Sequence, residues 1–309
     1  MRVRFFSAFE VPEVARDVIG QLVSPDEVAL VDALAGGAFS VAEARGALDA
    51  ATGGSWDDER LCKFLDAAYR RGVIEFEDEA RTSYRIARFY DRLGVFVIAQ
   101  ADEYLALPAP TRAALDEWFF DAYAARLDDT LRPSSDRVLA LEGALEHIER
   151  SDQPIWLNRC DCRTLAGHCE KPADTCITFR NGINTLSDRG WSIPLTKDEA
   201  KAVVRRADAD GLVHTASDGG LCNCCSDCCY LFRAQAARGR GLVWPVAEQI
   251  ASFDEATCIE CGACVERCPF DAFELTSSGE VVLHTERCRG CALCVQTCPT
   301  SAVRMEPRP

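Results

Sequence analysis

Residues 258–269 read CIECGACVERCP, and residues 288–299 read CRGCALCVQTCP. Each stretch is Cys-x2-Cys-x2-Cys-x3-Cys-Pro. Three thiols at two-residue intervals can wrap one compact centre in a tight loop whose backbone amides point toward the sulfurs. The fourth, followed by proline, is expected to begin a helix leading away and to reach a second centre. The doubled run therefore predicts two cubane [4Fe–4S] clusters with crossed ligands. The first takes Cys258, Cys261, Cys264 and Cys298; the second takes Cys288, Cys291, Cys294 and Cys268. Gly262 and Gly290 supply backbone freedom in the loops. Four-cysteine zinc sites also use Cys-x2-Cys, but rarely three thiolates at such intervals, twice over, each with a trailing Cys-Pro. Between the runs, AFELTSSGEVVLH (272–284) reads as a hairpin turning at Ser278-Gly279.

This segment, from about residue 250 onward, closely resembles bacterial dicluster ferredoxins. The resemblance implies one-electron transfer. It implies no substrate chemistry at these irons, because all four corners of each cluster are taken.

Outward from that segment, the cysteines divide the chain. Of 18, one (Cys62) lies in residues 1–150, nine lie in 151–250 and eight in 251–309. A chain of 309 residues can hold two or three cores. The N-terminus has no uninterrupted apolar stretch, with Glu10, Glu13, Arg16 and Asp17 breaking it, and no segment approaches the roughly 20 apolar residues of a membrane span. The expectation is a cytoplasmic protein without membrane insertion. In that reducing compartment, dense cysteine points to metal or catalysis before disulfides. A net charge of −15 opposes binding to nucleic acid or anionic membrane.

The middle region contains CDCRTLAGHCEKPADTC (160–176), with Cys160, Cys162, Cys169 and Cys176. After a helix expected over Lys197–Gly211, capped by Thr196 and Glu199, comes LCNCCSDCCY (221–230), with Cys222, Cys224, Cys225, Cys228 and Cys229. These nine thiols could hold two further four-cysteine clusters with one left over, or one cluster plus reactive thiols. Adjacent cysteines such as Cys224 and Cys225 project differently and seldom serve one cubane. They could serve neighbouring clusters or bridge irons, and a vicinal disulfide is disfavoured by a Cα separation of only about 3.8 Å. Arg163 could donate to cluster sulfurs, clamp an anionic substrate, or pair with Asp174. His168 and His214 are possible ligands, although such histidines are more often simply hydrogen-bonded. The expectation is one or two further iron–sulfur clusters beside the two [4Fe–4S] clusters.

At the front, Ser40 and Glu43 form a capping box ahead of Val41, Ala44 and Leu48 on one helix face. SWDDERLCKFLDAAYRRG (55–72) spaces Leu61, Phe64, Leu65, Ala68 and Tyr69 helically, and Cys62 reads as a packed thiol beside that stripe. VIEFEDEARTSYRI (73–86) reads as two strands around an acidic turn. The order helix, helix, helix, hairpin resembles a winged helix-turn-helix. DNA binding is opposed by Asp57, Asp58 and Glu59 at the start of the third helix and by Glu75, Glu77, Asp78 and Glu79 in the wing. Protein contact or homodimerisation through this domain is expected instead. Leu115, Trp118, Phe119, Ala122 and Tyr123 form a helical core stripe, DRVLALEGALEHIERSD (136–152) reads as a further helix, and RPSSD (132–136) as a connection.

The whole order, Cys-x-Cys-Arg, Cys-x6-Cys, helix, Gly-Leu-Val-His, Cys-Asn-Cys-Cys and a C-terminal dicluster segment, resembles a family of multi-cluster iron–sulfur proteins, mostly of anaerobic bacteria. That family often has Cys-Asn-Cys-Cys-x-Cys-Cys-Cys where this chain has CNCCSDCC, which leaves its middle ligand set open. The expected fold class is α+β and multidomain: a winged-helix-like domain over 1–100, a helical connector over 101–150, a cysteine-rich cluster-binding domain over 151–250 and a dicluster ferredoxin domain over 251–309. The expected function is electron relay from a low-potential donor to a larger partner oxidoreductase. The alternatives are a redox- or oxygen-sensing regulator and a reductase working at a non-standard middle cluster. No Rossmann fingerprint, Walker loop or nucleophile constellation is present, so no nucleotide or flavin site and no catalytic residue is assigned.

Overall fold

Capping residues set the helix starts at the front of the chain. In the computed structural model, which describes residues 2–127, 136–238 and 246–308, Ser24 and Ser40 each accept from the amide three residues on, and Glu27 and Glu43 reach back to the cap amides. Helices α1 (Arg2–Ala8), α2 (Ile19–Leu22), α3 (Pro25–Leu34), α4 (Val41–Thr52) and α5 (Asp58–Arg70) precede the antiparallel pair β1 (Ile74–Phe76) and β2 (Tyr84–Ile86). Helices α6 (Phe89–Ala99), α7 (Ala101–Leu105) and α8 (Ala109–Arg126) follow. Ala44 and Leu48 of α4 and Leu61, Leu65, Ala68 and Tyr69 of α5 are buried, as their spacing requires. Leu115 and Phe119 of α8 are buried too, with Tyr90 stacked on Phe119 at 4.1 Å.

These elements form one compact unit, residues up to 126 joined by 164–166 and 181–192. The segment 181–192 is tied in by polar contacts. The Asn184 amide both accepts from the Phe76 N–H and donates to the Phe76 carbonyl, at 2.9 Å each, so it closes the open edge of β1. Trp191 Nε1 donates to the carbonyl of Arg70 at 2.6 Å, and Arg189 donates to that of Tyr69. The Arg70 carbonyl at the end of α5 is thereby satisfied, and the Tyr69 carbonyl, which already accepts from the Gly72 N–H, gains a further donor.

The second unit holds 127–163, 167–180 and 193 onward. Its strands are β3 (Arg137–Leu139), β4 (Ile155–Arg159), β5 (Asp174–Thr178), β6 (Ile193–Leu195), β7 (Val213–Ser217), β8 (Gly220–Cys224) and β9 (Val246–Ala247), in the order β6-β4-β5-β8-β7-β3-β9. All pairings are antiparallel except β3 with β9. Helices α9 (Leu141–Arg150) and α11 (Lys197–Ala209) cover one face, packing Ala144, Ile148, Val203 and Val204 on Ile155, Ile177, Ala216 and Leu221. A short helix, α10 (Asp161–Ala166), follows β4. Side chains alternate across a sheet, so Cys176, Cys222 and Cys224 lie on the face opposite Ile177 and Leu221. The sheet thus separates an apolar face from a cysteine face.

The remaining elements are α12 (Tyr230–Ala237), β10 (Gln249–Phe253), α13 (Ala263–Arg267), β11 (Phe273–Leu275), β12 (Val281–Leu283), α14 (Leu293–Thr297) and β13 (Val303–Pro307). β10 pairs with β13 and β11 with β12, the latter hairpin turning with Gly279 at φ +88°. Among the described residues, no helix is long and apolar enough to cross a membrane.

Three sequence expectations are corrected. Residues 137–139 form a strand and not the start of a helix, because Val138 is buried between β7 and β9 in the sheet. Cys62 is exposed, since one residue past Leu61 turns it about 100° off the apolar stripe. Each Cys-Pro ends a helix instead of beginning one: Cys268 and Cys298 are the C-caps of α13 and α14, with ψ of 112° and 109°. A residue before proline avoids helical ψ, and proline lacks the N–H that would continue the ladder. The expected connection at 132–136 lies, apart from Asp136, outside the described residues.

Candidate metal centres

In the C-terminal segment the geometry around the cysteines repeats at an offset of 30 residues. Backbone N–H groups donate to sulfur from Glu260 to Cys258 (3.3 Å) and from Gly290 to Cys288 (3.4 Å). They do so again from Ala272 to Cys268 (3.3 Å) and from Ala302 to Cys298 (3.2 Å). Left-handed backbone places them: φ is +55° at Glu260 and +70° at Gly290, +73° at Gly262 and +63° at Ala292, +52° at Asp271 and +56° at Ser301. Cys258, Cys261, Cys264 and Cys298 line one cavity, walled by Phe253, Val281 and Val303. Cys268, Cys288, Cys291 and Cys294 lie close enough to perturb one another. Burial, and then the proximity of Cys268 and Cys288, pushes the Cys291 thiol up to about 12, and burial likewise raises Cys294. Burial also raises Cys264, whereas Cys298 is lowered: burial opposes the shift, but N–H donors near Val303, Thr300 and Ala302 outweigh it. Sulfurs that receive several amide hydrogen bonds in an apolar shell suit anionic iron–sulfur clusters.

The nine middle thiols fall into two groups. Thiol–thiol interactions run from Cys162 to Cys160, on to Cys176, Cys222, Cys224 and Cys229. The sheet positions much of this string. Thr215 stands opposite Cys222 and Val213 opposite Cys224, and continuing the β5–β8 register by one residue sets Cys176 against Cys222. Hydrogen bonding from neighbouring thiols holds Cys160 and Cys222 well below the usual thiol range, while Cys162, Cys176 and Cys224, beside them in the string, sit well above it. Thr215 Oγ1 adds a contact to Cys224 Sγ at 3.5 Å. The second group is Cys169, Cys225 and Cys228, whose sulfurs all lie within 4.8 Å of one another. Hydrogen bonding from Cys228, then the nearby Arg163 charge, lowers Cys225 to about 5 against the pull of burial.

Arg163 stands between the groups, beside Cys225, and its hydrogen bonds to oxygen go to neutral acceptors. Nη1 donates to the Pro172 carbonyl (2.5 Å) and Thr175 Oγ1 (3.1 Å), and Nη2 to the Asn223 carbonyl (2.8 Å). Its buried Nε has no hydrogen-bond partner. Asp174 pairs instead with Arg159, at 3.6 Å on the exposed start of β5, so the Arg163–Asp174 pairing does not form. Burial would lower the Arg163 pKa, but nearby thiols, Cys160 foremost, raise it overall. His214 is buried, with Nδ1 2.6 Å from Asn223 Oδ1 and Nε2 3.4 Å from Asp208 Oδ1; this is a hydrogen-bonded core histidine. His168 is exposed, with Nδ1 3.1 Å from the Asp227 carbonyl.

Sequence reasoning missed Asn223. Fully buried, it joins His214, the Thr175 carbonyl (2.6 Å) and Arg163 in one network. Its signal was alternation: within CNCC it falls on the face opposite Cys222 and Cys224. A further link is apolar. One buried cluster contains Cys224 and Cys229 together with Cys291 and Leu293, and Phe232 meets Phe270 edge-on at 5.0 Å.

Residues 251–305 match the family model of a 4Fe-4S dicluster domain. No curated protein matches the chain. The chain is thus an iron–sulfur protein with a dicluster domain at its C-terminus and a cysteine-rich region before it, in a mixed helix-and-sheet fold.

Proposed function

We propose that the protein is a multi-cluster electron carrier of the oxidoreductase type, which passes low-potential electrons between its C-terminal clusters and a further cluster held by the six-thiol string. The observation that supports this best is the shared apolar cluster. Cys291, expected on the second C-terminal centre, packs in the same buried group as Cys224 and Cys229 of the string. Clusters bound at both places supply reversible one-electron storage. The chain's own residues provide the insulation and the tuning: Val138, Val213, Leu231, Phe232 and Leu293 exclude water, and amide N–H groups offset the charge on the cysteine sulfurs.

The reading includes Cys258, Cys261, Cys264 and Cys298 as ligands of the first cluster and Cys288, Cys291, Cys294 and Cys268 as ligands of the second. It assigns Cys160, Cys162, Cys176, Cys222, Cys224 and Cys229 to the additional centre. A larger oxidoreductase in the cytoplasm of an anaerobe is the intended partner, and the front unit, winged-helix-like in element order, serves protein contact or dimerisation. The regulator reading is disfavoured by the acidic start of α5, where Asp58 pairs with Arg45 and Glu59 with Lys63.

Iron and acid-labile sulfide counted on anaerobically isolated protein test the proposal. Two C-terminal cubanes account for about eight irons. A higher iron content that falls back toward that level in Cys224→Ser, with both C-terminal cluster signals retained, is the expected result. Iron no higher than the cubane level would sink the middle cluster and leave the relay confined to the dicluster domain.

A further inference from the structure

Cys169, Cys225 and Cys228 stand apart from the six-thiol string. We propose that these three bind a single thiophilic divalent ion of the zinc type, its fourth coordination position open to a small thiolate. Spacing is the first reason. Cys169 Sγ lies 3.7 Å from both Cys225 Sγ and Cys228 Sγ. A tetrahedral ion with metal–sulfur bonds of about 2.3 Å sets its sulfurs about 3.8 Å apart. A cubane, by contrast, interposes an iron–sulfide core and spreads its cysteines more widely. The C-terminal thiols, whose sequence spacing is that of cubanes, form no triplet this close among the described residues. Neither does the six-thiol string, whose one close group is Cys160 and Cys162 with Asp161.

The ligand count is the second reason. Among the described residues, no further His, Cys, Asp or Glu ligand atom joins the triplet. Sites closed by four protein ligands are structural, whereas three protein ligands leave a position for an exchangeable one. Charge is the third. Three thiolates around a divalent ion leave one net negative charge. Arg163, which hydrogen-bonds Cys225, is 3% exposed, gives its other hydrogen bonds to neutral oxygens, and keeps an unpartnered Nε. Its cation matches that site and favours an anionic fourth ligand. A soft ion held by thiolates selects sulfur over oxygen, hence a thiolate. Cys225 and Cys228 are buried, at 2% and 0% exposed, while Cys169 is half-buried and leaves an approach.

The inference is independent of the iron content of the other centres, and its test reads zinc. The full chain, isolated anaerobically, is expected to hold one zinc beside its iron. Cys169→Ser, Cys225→Ser and Cys228→Ser should each lose that zinc with iron and sulfide unchanged. In the unsubstituted chain, exchange of zinc for cobalt(II) should give tetrahedral thiolate–cobalt absorption bands that shift when β-mercaptoethanol is added. This second arm does not depend on any variant folding. Loss of iron and sulfide in place of zinc would overturn the proposal, as would failure of the unsubstituted chain to take up zinc or cobalt. Cobalt bands indifferent to the added thiol would overturn the open position.

Discussion

Gly262 and Gly290 look interchangeable in the sequence, yet the structure gives them different work. A Cβ at Gly290 would lie 2.4 Å from the Gln249 carbonyl oxygen and 2.5 Å from Ala247 Cβ, while one at Gly262 would meet nothing within 4 Å. Gly290→Ala must therefore push β10 and β9 away from the loop that carries Cys288 and Cys291. Gly262→Ala pays only left-handed strain of about 1 kcal/mol, and its counterpart Ala292 already tolerates φ +63°. The expected outcome is loss of about half the C-terminal iron in the first variant and near-normal iron in the second, read by metal analysis. Asn223→Ala strands the Thr175 carbonyl and His214 in the interior, so it should cost about 1–3 kcal/mol in denaturant titration of the metal-free chain. The dicluster domain was legible because cluster chemistry imposes a sequence spacing. Its amide donors and Asn223 were not, since those contacts depend on which strand the chain returns to, and no local spacing records that.

At the scale of elements, helices with capping boxes were the most legible: Ser40–Glu43 and Thr196–Glu199 start α4 and α11 where the residues place them. The seven-stranded sheet was not legible, because its short strands interleave with helices and its neighbours are distant in sequence. Residues 181–192 show the same limit, lying between cysteine motifs in sequence but tied to the first unit through Asn184, Arg189 and Trp191. Asn184→Ala reopens the edge of β1 and removes two hydrogen bonds, so faster amide exchange at Phe76 is expected, measured by hydrogen–deuterium exchange. The front helices should show no sequence-selective DNA binding at about 0.15 M salt in a mobility-shift assay, because phosphate neutralisation supplies most of such affinity and α5 begins with acid. Tight, selective binding there would restore the regulator reading.

For the molecule as a whole, the thiols couple stability to metal and to pH. Cys291, raised from the usual 9.0 to about 12, keeps its proton in the metal-free fold. Its contribution to metal-free stability is therefore complete below pH 9 and is lost as pH rises toward 12. Metal needs the thiolate, so loading should release protons and retention should weaken as pH falls. Proton release in weakly buffered reconstitution, together with an alkaline loss of stability seen in the metal-free but not the loaded chain, checks this. The 30-residue repeat is also unequal in its surroundings. In the proposed assignment Cys261 of the first centre is exposed and its neighbour Ile259 is 62% exposed, whereas Cys288, Cys291 and Cys294 of the second are all buried. Solvent exposure sets reduction potential, so two chemically identical centres acquire a built-in polarity. One answers to the ionic atmosphere and to whatever touches the surface, and the other only to the interior. Removing the charge of Glu260 should then move one voltammetric wave and leave the other in place, and the wave that moves marks the terminal at which current enters or leaves.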